Sequence, residues 1–116
     1  MNSFVIDLPR PPSKNASHGF ARGRVFRSKA YTQWIEQANR HLLAKGLRRR
    51  DPIAGKFDCR IYYKAEGFRG DPQNIVDCAL DWLQHAGVVS NDKNLRCLEL
   101  RPGDIPLECR FIVEVA

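Results

Sequence analysis

Apolar and polar residues alternate near the start of the chain, with Phe4, Ile6 and Leu8 on one side and Val5 and Asp7 on the other. A period of two predicts a half-buried strand. Pro9, Pro11 and Pro12 end it, because proline cannot donate to a sheet ladder. From Ser13 to Arg27 core residues are scarce, while Lys14, Arg22, Arg24 and Arg27 and the glycines at 19 and 23 accumulate. This stretch reads as a mobile basic loop. Ser28 then suits the N-cap of a helix, along which Tyr31, Trp34, Ile35, Ala38 and Leu42 form one apolar stripe. Gly46 is placed to close that helix through a left-handed cap. The run Arg48, Arg49, Arg50 follows, a charge run that suits a solvated surface better than a phosphate contact.

A second alternating segment, Phe57, Cys59, Ile61 and Tyr63, predicts a strand. Gly67 and Gly70 flank a turn leading to Asp71, which is expected to cap a second helix starting near Pro72. At 100° per residue, Ile75, Val76, Ala79, Trp82, Leu83 and Ala86 share one side of that helix. Gln73, Asn74, Asp77, Asp81, Gln84 and His85 share the other, and Gly87 ends it. Leu95 to Arg101 gives a noisier alternation, Pro102-Gly103-Asp104 a turn. Leu107, Cys109, Phe111, Val113 and Val115 then alternate as a last strand. The order β-α-β-α-β-β predicts an α+β fold, a small mixed β-sheet with two packed helices.

Length and composition narrow this further. A chain of 116 residues with 43% hydrophobic content predicts a single domain spanning 1–116. The 19 Lys and Arg against 13 Asp and Glu leave a net charge of +6, which favours a polyanion as partner. Cys59, Cys78, Cys97 and Cys109 contain no Cys-x-x-Cys pair, so zinc-ribbon and redox readings have no spacing to rest on. Each lies in or beside an apolar run, where a reduced, buried thiol is expected. No apolar run approaches the roughly 20 residues that span a bilayer, and the N-terminus has no leader-like pattern. The expectation is a cytoplasmic protein without a membrane partner. His18, His41 and His85 share no metal-ligand spacing, and Trp34 and Trp82 sit among apolar positions that suit packing. With no Gly-rich phosphate loop, no nucleotide cofactor is expected.

Acidic residues concentrate in two places. One is Gly70-Asp71-Pro72-Gln73-Asn74, with Asp77 and Asp81 one and two helical turns on; the other is Ser90-Asn91-Asp92-Lys93. Carboxylates on a basic, phosphate-seeking protein repel its ligand, and holding a hard cation such as Mg²⁺ is one reason to keep them. A helix over 73–86 is about 20 Å long, and six extended residues after it cover about 18–20 Å. A reversal at Gly87 therefore permits Asp92 to return to the helix start. Asp71 is equally suited to a plain helix cap and Asn91-Asp92 to a plain turn, and spacing leaves both readings open.

The Gly70-Asp71-Pro72-Gln73-Asn74 segment, then Ala79-Leu80-Asp81, Ala86-Gly87-Val88-Val89 and Asn91-Asp92, resembles the RusA family of crossover-junction endodeoxyribonucleases. Leu8-Pro9 to Pro11-Pro12-Ser13, with Asn15 after it, resembles that family's opening strand and turn. The resemblance runs over most of the chain in order. It implies a Mg²⁺-dependent homodimer, of bacterial or phage origin, that binds four-way DNA (Holliday) junctions and resolves them by paired nicks in DNA recombination and repair. On it, Asp71 and Asp92 match the family's catalytic, metal-holding aspartates, and Asn74 and Asp81 are supporting motif positions. Gln73 stands where the family has a second metal-holding aspartate, and Asp77 where it has a lysine. One consequence is that Asp77 restores the lost carboxylate and Lys93 the lost cation, with Gln73 offering a neutral oxygen to the metal. The other is a non-catalytic junction- or RNA-binding module. Lys14, Arg22, Arg24, Arg27 and Arg69, with Lys93, are the candidate DNA-binding residues.

Overall fold

The structure, a computed structural model, describes residues 3–46 and 51–116, so the arginine run at 48–50 lies outside the described residues. Six strands and two α-helices follow in the order β1 (Ser3–Leu8), β2 (His18–Ala21), β3 (Arg24–Arg27), α1 (Lys29–Ala44), β4 (Phe57–Tyr63), α2 (Val76–His85), β5 (Leu95–Pro102) and β6 (Cys109–Val115). Strands β1, β6, β4 and β5 form a mixed sheet in that order. β6 runs antiparallel to both neighbours, whereas β4 and β5 are parallel. Parallel neighbours need a crossover, and the segment containing α2 supplies it. The α+β class is therefore as the alternation predicts.

Alternation decides what each strand buries. Phe4, Ile6 and Leu8, Phe57, Cys59 and Ile61, and Cys109, Phe111 and Val113 are all buried. Tyr31, Trp34, Ala38 and Leu42 of α1 join the same core with Cys78, Ala79, Trp82 and Leu83 of α2. Trp82 meets Trp34 edge-on at 5.9 Å between ring centroids and lies 6.3 Å from Phe111. Both indole N–H groups are satisfied, Trp34 donating to the Pro9 carbonyl and Trp82 to Asn39 Oδ1, each at 2.9 Å. The alternate strand positions carry charge instead. Arg110 donates twice to Asp7, at 2.7 and 3.2 Å, Arg60 pairs with Glu114, and Arg96 grips Asp58 at 2.7 and 3.0 Å.

Four expectations need correction. Residues 13–27 are not a mobile loop throughout, because β2 and β3 pair as an antiparallel hairpin. Arg22 and Gly23 both take positive φ, 54° and 73°, the two-residue turn whose twist matches a hairpin; glycine that reads as looseness here permits a tight reversal. The second α-helix begins at Val76, not near Pro72, since residues Pro72–Ile75 wind as a 3-10 turn capped by Asp71. The last strand begins at Cys109 rather than Leu107, which is exposed. Cys97 is exposed on the outer strand β5, while Cys59, Cys78 and Cys109 are buried. Burial pushes the Cys59 and Cys109 thiols up to about 12.

Candidate functional site

Asp77 and Asp81 lie four residues apart on α2 and so share one face of it. What brings Asp92 to them is the end of that helix. Gly87 adopts φ 76°, its amide bonds the Gln84 carbonyl at 3.1 Å, and the Val88 amide reaches back to Leu83 at 2.9 Å. This is a Schellman closure, with Val88 and Leu83 both buried beneath it. Ile53 then straps the returning chain, donating to the Val88 carbonyl at 2.9 Å and accepting from Ser90 at 3.0 Å. Asn91 caps a short 3-10 turn through Lys93, and the Asp92 amide donates to Gln84 Oε1 at 2.8 Å. The reversal carries Asp92 back alongside α2, where it lines one cavity of about 470 Å³ with Asp77 and Asp81.

The same cavity also takes basic side chains. These are Lys14 and Arg27, with Ser17, His18 and Tyr31 also on its lining. Ser17 is buried, donates to the Lys14 carbonyl at 3.0 Å, and meets His18 Nδ1 at 2.8 Å. Lys14 is held in turn by its amide, which donates to the Asn74 carbonyl at 2.7 Å. Ser28 caps α1 through the Tyr31 amide and also donates its hydroxyl to the Ala16 carbonyl at 2.6 Å. A segment that reads as loose in sequence is thus tied to the start of α1 and to the 3-10 turn that precedes α2.

Asp81 is the most heavily engaged of the three carboxylates. Tyr31 donates its phenol to it, Arg27 lies 3.6 Å away and His85 3.4 Å away. Arg27 also contacts His85 at 2.9 Å and sits 5.6 Å above the Tyr31 ring. Burial, and then the bond to the Asp81 carboxylate, push the Tyr31 phenol well above its ordinary value. Among the described residues, by contrast, no hydrogen bond or ion pair engages the Asp77 or Asp92 carboxylate.

The remaining candidates fall elsewhere. Asp71 Oδ1 accepts from the Gln73 amide at 3.0 Å as the cap of the 3-10 turn. With Arg69 and Asn74 it lines a separate, smaller cavity of about 230 Å³. Gln73 and Lys93 are exposed and line neither cavity. Arg22 and Arg24 stand exposed at the hairpin tip. So the first cavity collects Asp77, Asp81, Asp92, Lys14 and Arg27 from the sequence reading, and leaves Asp71, Gln73, Asn74 and Arg69 outside. Tyr31, Ser17 and His18 were not legible as site residues. The tyrosine falls on an apolar stripe, where only its hydroxyl marks it, and the hairpin that brings His18 in has no sequence signal beyond the glycines.

Among the described residues no group of three or more His, Cys, Asp or Glu side chains is placed to hold a metal ion. A two-carboxylate site is a different case, because Mg²⁺ keeps much of its shell as water and substrate phosphate and needs only one or two protein carboxylates. Asp77 and Asp92, unengaged and lining one cavity, fit that donor set. Among the described residues, no helix is long and apolar enough to cross a membrane. No protein-family model matches this chain, and no curated protein matches it.

Proposed function

We propose that this chain is a structure-selective, Mg²⁺-dependent endonuclease that acts as a homodimer on four-way DNA junctions, as its resemblance to the RusA family implies. One observation carries the reading: two unengaged carboxylates, Asp77 and Asp92, line a cavity together with Lys14 and Arg27. The cations attract and orient a phosphodiester. Asp77 and Asp92 would hold the divalent ion, which when bound would polarise the phosphate and lower the pKa of water. Asp77 thereby takes the part that Gln73 cannot, and Asp71 acts as a cap. Asp81 positions Arg27 and Tyr31 rather than meeting substrate. A two-fold dimer suits a junction, since each copy presents one cavity to one of two equivalent strands.

A second reading is favoured by the neutral Gln73 and by the lack of a three-ligand cluster among the described residues: a junction- or RNA-binding module that does not cut. One experiment separates them. A labelled four-way junction is incubated with the protein and Mg²⁺, beside Asp77→Asn, Asp92→Asn and Gln73→Asp. Paired nicks by wild type, slowed about 100-fold or more in both Asn variants with binding kept, are the expected result. Binding without nicks, with cutting gained in Gln73→Asp, establishes the second reading. Failure to bind any DNA removes the nuclease and the junction-binding module alike and leaves only the RNA-binding form of the second reading.

A further inference from the structure

The β2–β3 hairpin presents an apolar pair that nothing in the described fold covers. Directly opposed residues of an antiparallel pair share a face, and so do positions two apart. His18 opposes Arg27 and Phe20 opposes Val25, so these four side chains lie on one face of the hairpin. His18 and Arg27 line the cavity that holds Asp77 and Asp92. Phe20 and Val25 continue the same face beyond it, 72% and 69% exposed. The hairpin's other aromatic has a local role: Phe26 lies over Gly19, so closely that a Cβ there would come within 2.4 Å of its ring. Phe20 has no such role. Arg27 shares its face, while Arg22 and Arg24 stand at the hairpin tip, Arg24 opposite Ala21 on the other face.

An exposed aromatic whose hairpin face continues through Arg27 into a cavity lined by Lys14 and Arg27 matches one ligand chemistry well. An unpaired nucleobase offers a π-face for the ring, and its own backbone offers anions to the arginines. We propose that Phe20, backed by Val25, stacks on a nucleobase unpaired at the branch point, next to the phosphate held in the cavity. This rests on the reading of the chain as a junction-acting protein and adds to it the element that tells a branch from a plain duplex. The tight turn at Arg22 and Gly23 gives the hairpin a defined twist, so the aromatic is presented at a set angle to the cavity.

The test uses a four-way junction carrying 2-aminopurine beside the branch point, a linear duplex of the same sequence, and wild type, Phe20→Ala and Phe20→Trp proteins. Because Phe20 is exposed, neither substitution disturbs the core. Wild type and Phe20→Trp are expected to change the 2-aminopurine emission on binding. Phe20→Ala should lose that change and bind the junction about tenfold more weakly, with duplex affinity kept within about twofold. If wild type and Phe20→Ala bind and perturb the junction alike while wild type still nicks it, the stacking role is wrong and the nuclease reading stands. If Phe20→Ala changes only the sedimentation of a dimer, this face joins two copies and the proposal falls. Absence of binding to either DNA removes the proposal together with the reading it rests on.

Discussion

At the scale of single residues, Tyr31 and Asp81 show how one hydroxyl couples the core to the cavity. The ring is buried in the stripe of α1, while the phenol donates to a carboxylate that Arg27 and His85 also approach. Tyr31→Phe keeps the ring and deletes only that bond. A hydrogen bond to a charged group contributes about 1.5–3 kcal/mol, and the low end is expected here because the Asp81 side chain is 40% exposed. Urea unfolding should show a lower midpoint at unchanged slope. The phenol also sets a pH dependence. Its folded-state pKa lies above the ordinary 10.0, so above pH 10 the unfolded chain releases this proton while the folded chain keeps it. Stability from this group is complete below pH 10 and falls as pH rises beyond it. The decline should be shallower in Tyr31→Phe, as followed by urea melts from pH 9 to 11.

Among the elements, the turn after α2 has the largest consequence. Gly87 at φ 76° closes the helix, and the strap to Ile53 then aims the chain so that Asp92 returns beside Asp77. A Cβ at Gly87 would meet no atom within 4 Å, so Gly87→Ala costs only the left-handed backbone, about 1–2 kcal/mol. The expected outcome is a lowered urea midpoint and, on the proposed nuclease function, a larger fractional loss of Mg²⁺-dependent nicking, because the same turn positions Asp92. Loss of stability with nicking unchanged would separate the turn from the site. The hairpin repeats the point. Its residues read as a loop because Gly19, Gly23 and three arginines break the apolar alternation. Yet positive φ at Arg22 and Gly23 and the bonds of Ser17 and Ser28 hold it in place.

The whole molecule couples an excess of positive charge to one cavity lined by both acids and cations. If Arg22 and Arg24 contact phosphates, replacing both with alanine should reduce the slope of log affinity against log salt by about two, at roughly 0.9 per phosphate on duplex. An unchanged slope takes the hairpin tip out of the DNA contact. Arg27→Ala is a poorer probe of the same question, since Arg27 also meets His85 and Asp81. Periodicity in the sequence by itself determined most of the large elements and the burial of both tryptophans, because alternation and the helical stripe are local consequences of one buried face. It also determined that Ser28 and Gly87 bound their helices, since capping depends on side chains within a few residues. Tertiary structure alone decided that the acids split into two groups. Asp92 comes to line one cavity with Asp77 and Asp81 because the chain reverses at Gly87 and is strapped by Ile53, while Asp71 lines another with Arg69 and Asn74. It alone decided that His18, Arg27 and Tyr31 complete the cavity, because a hairpin folding back onto two helices is a long-range pairing that no local pattern encodes.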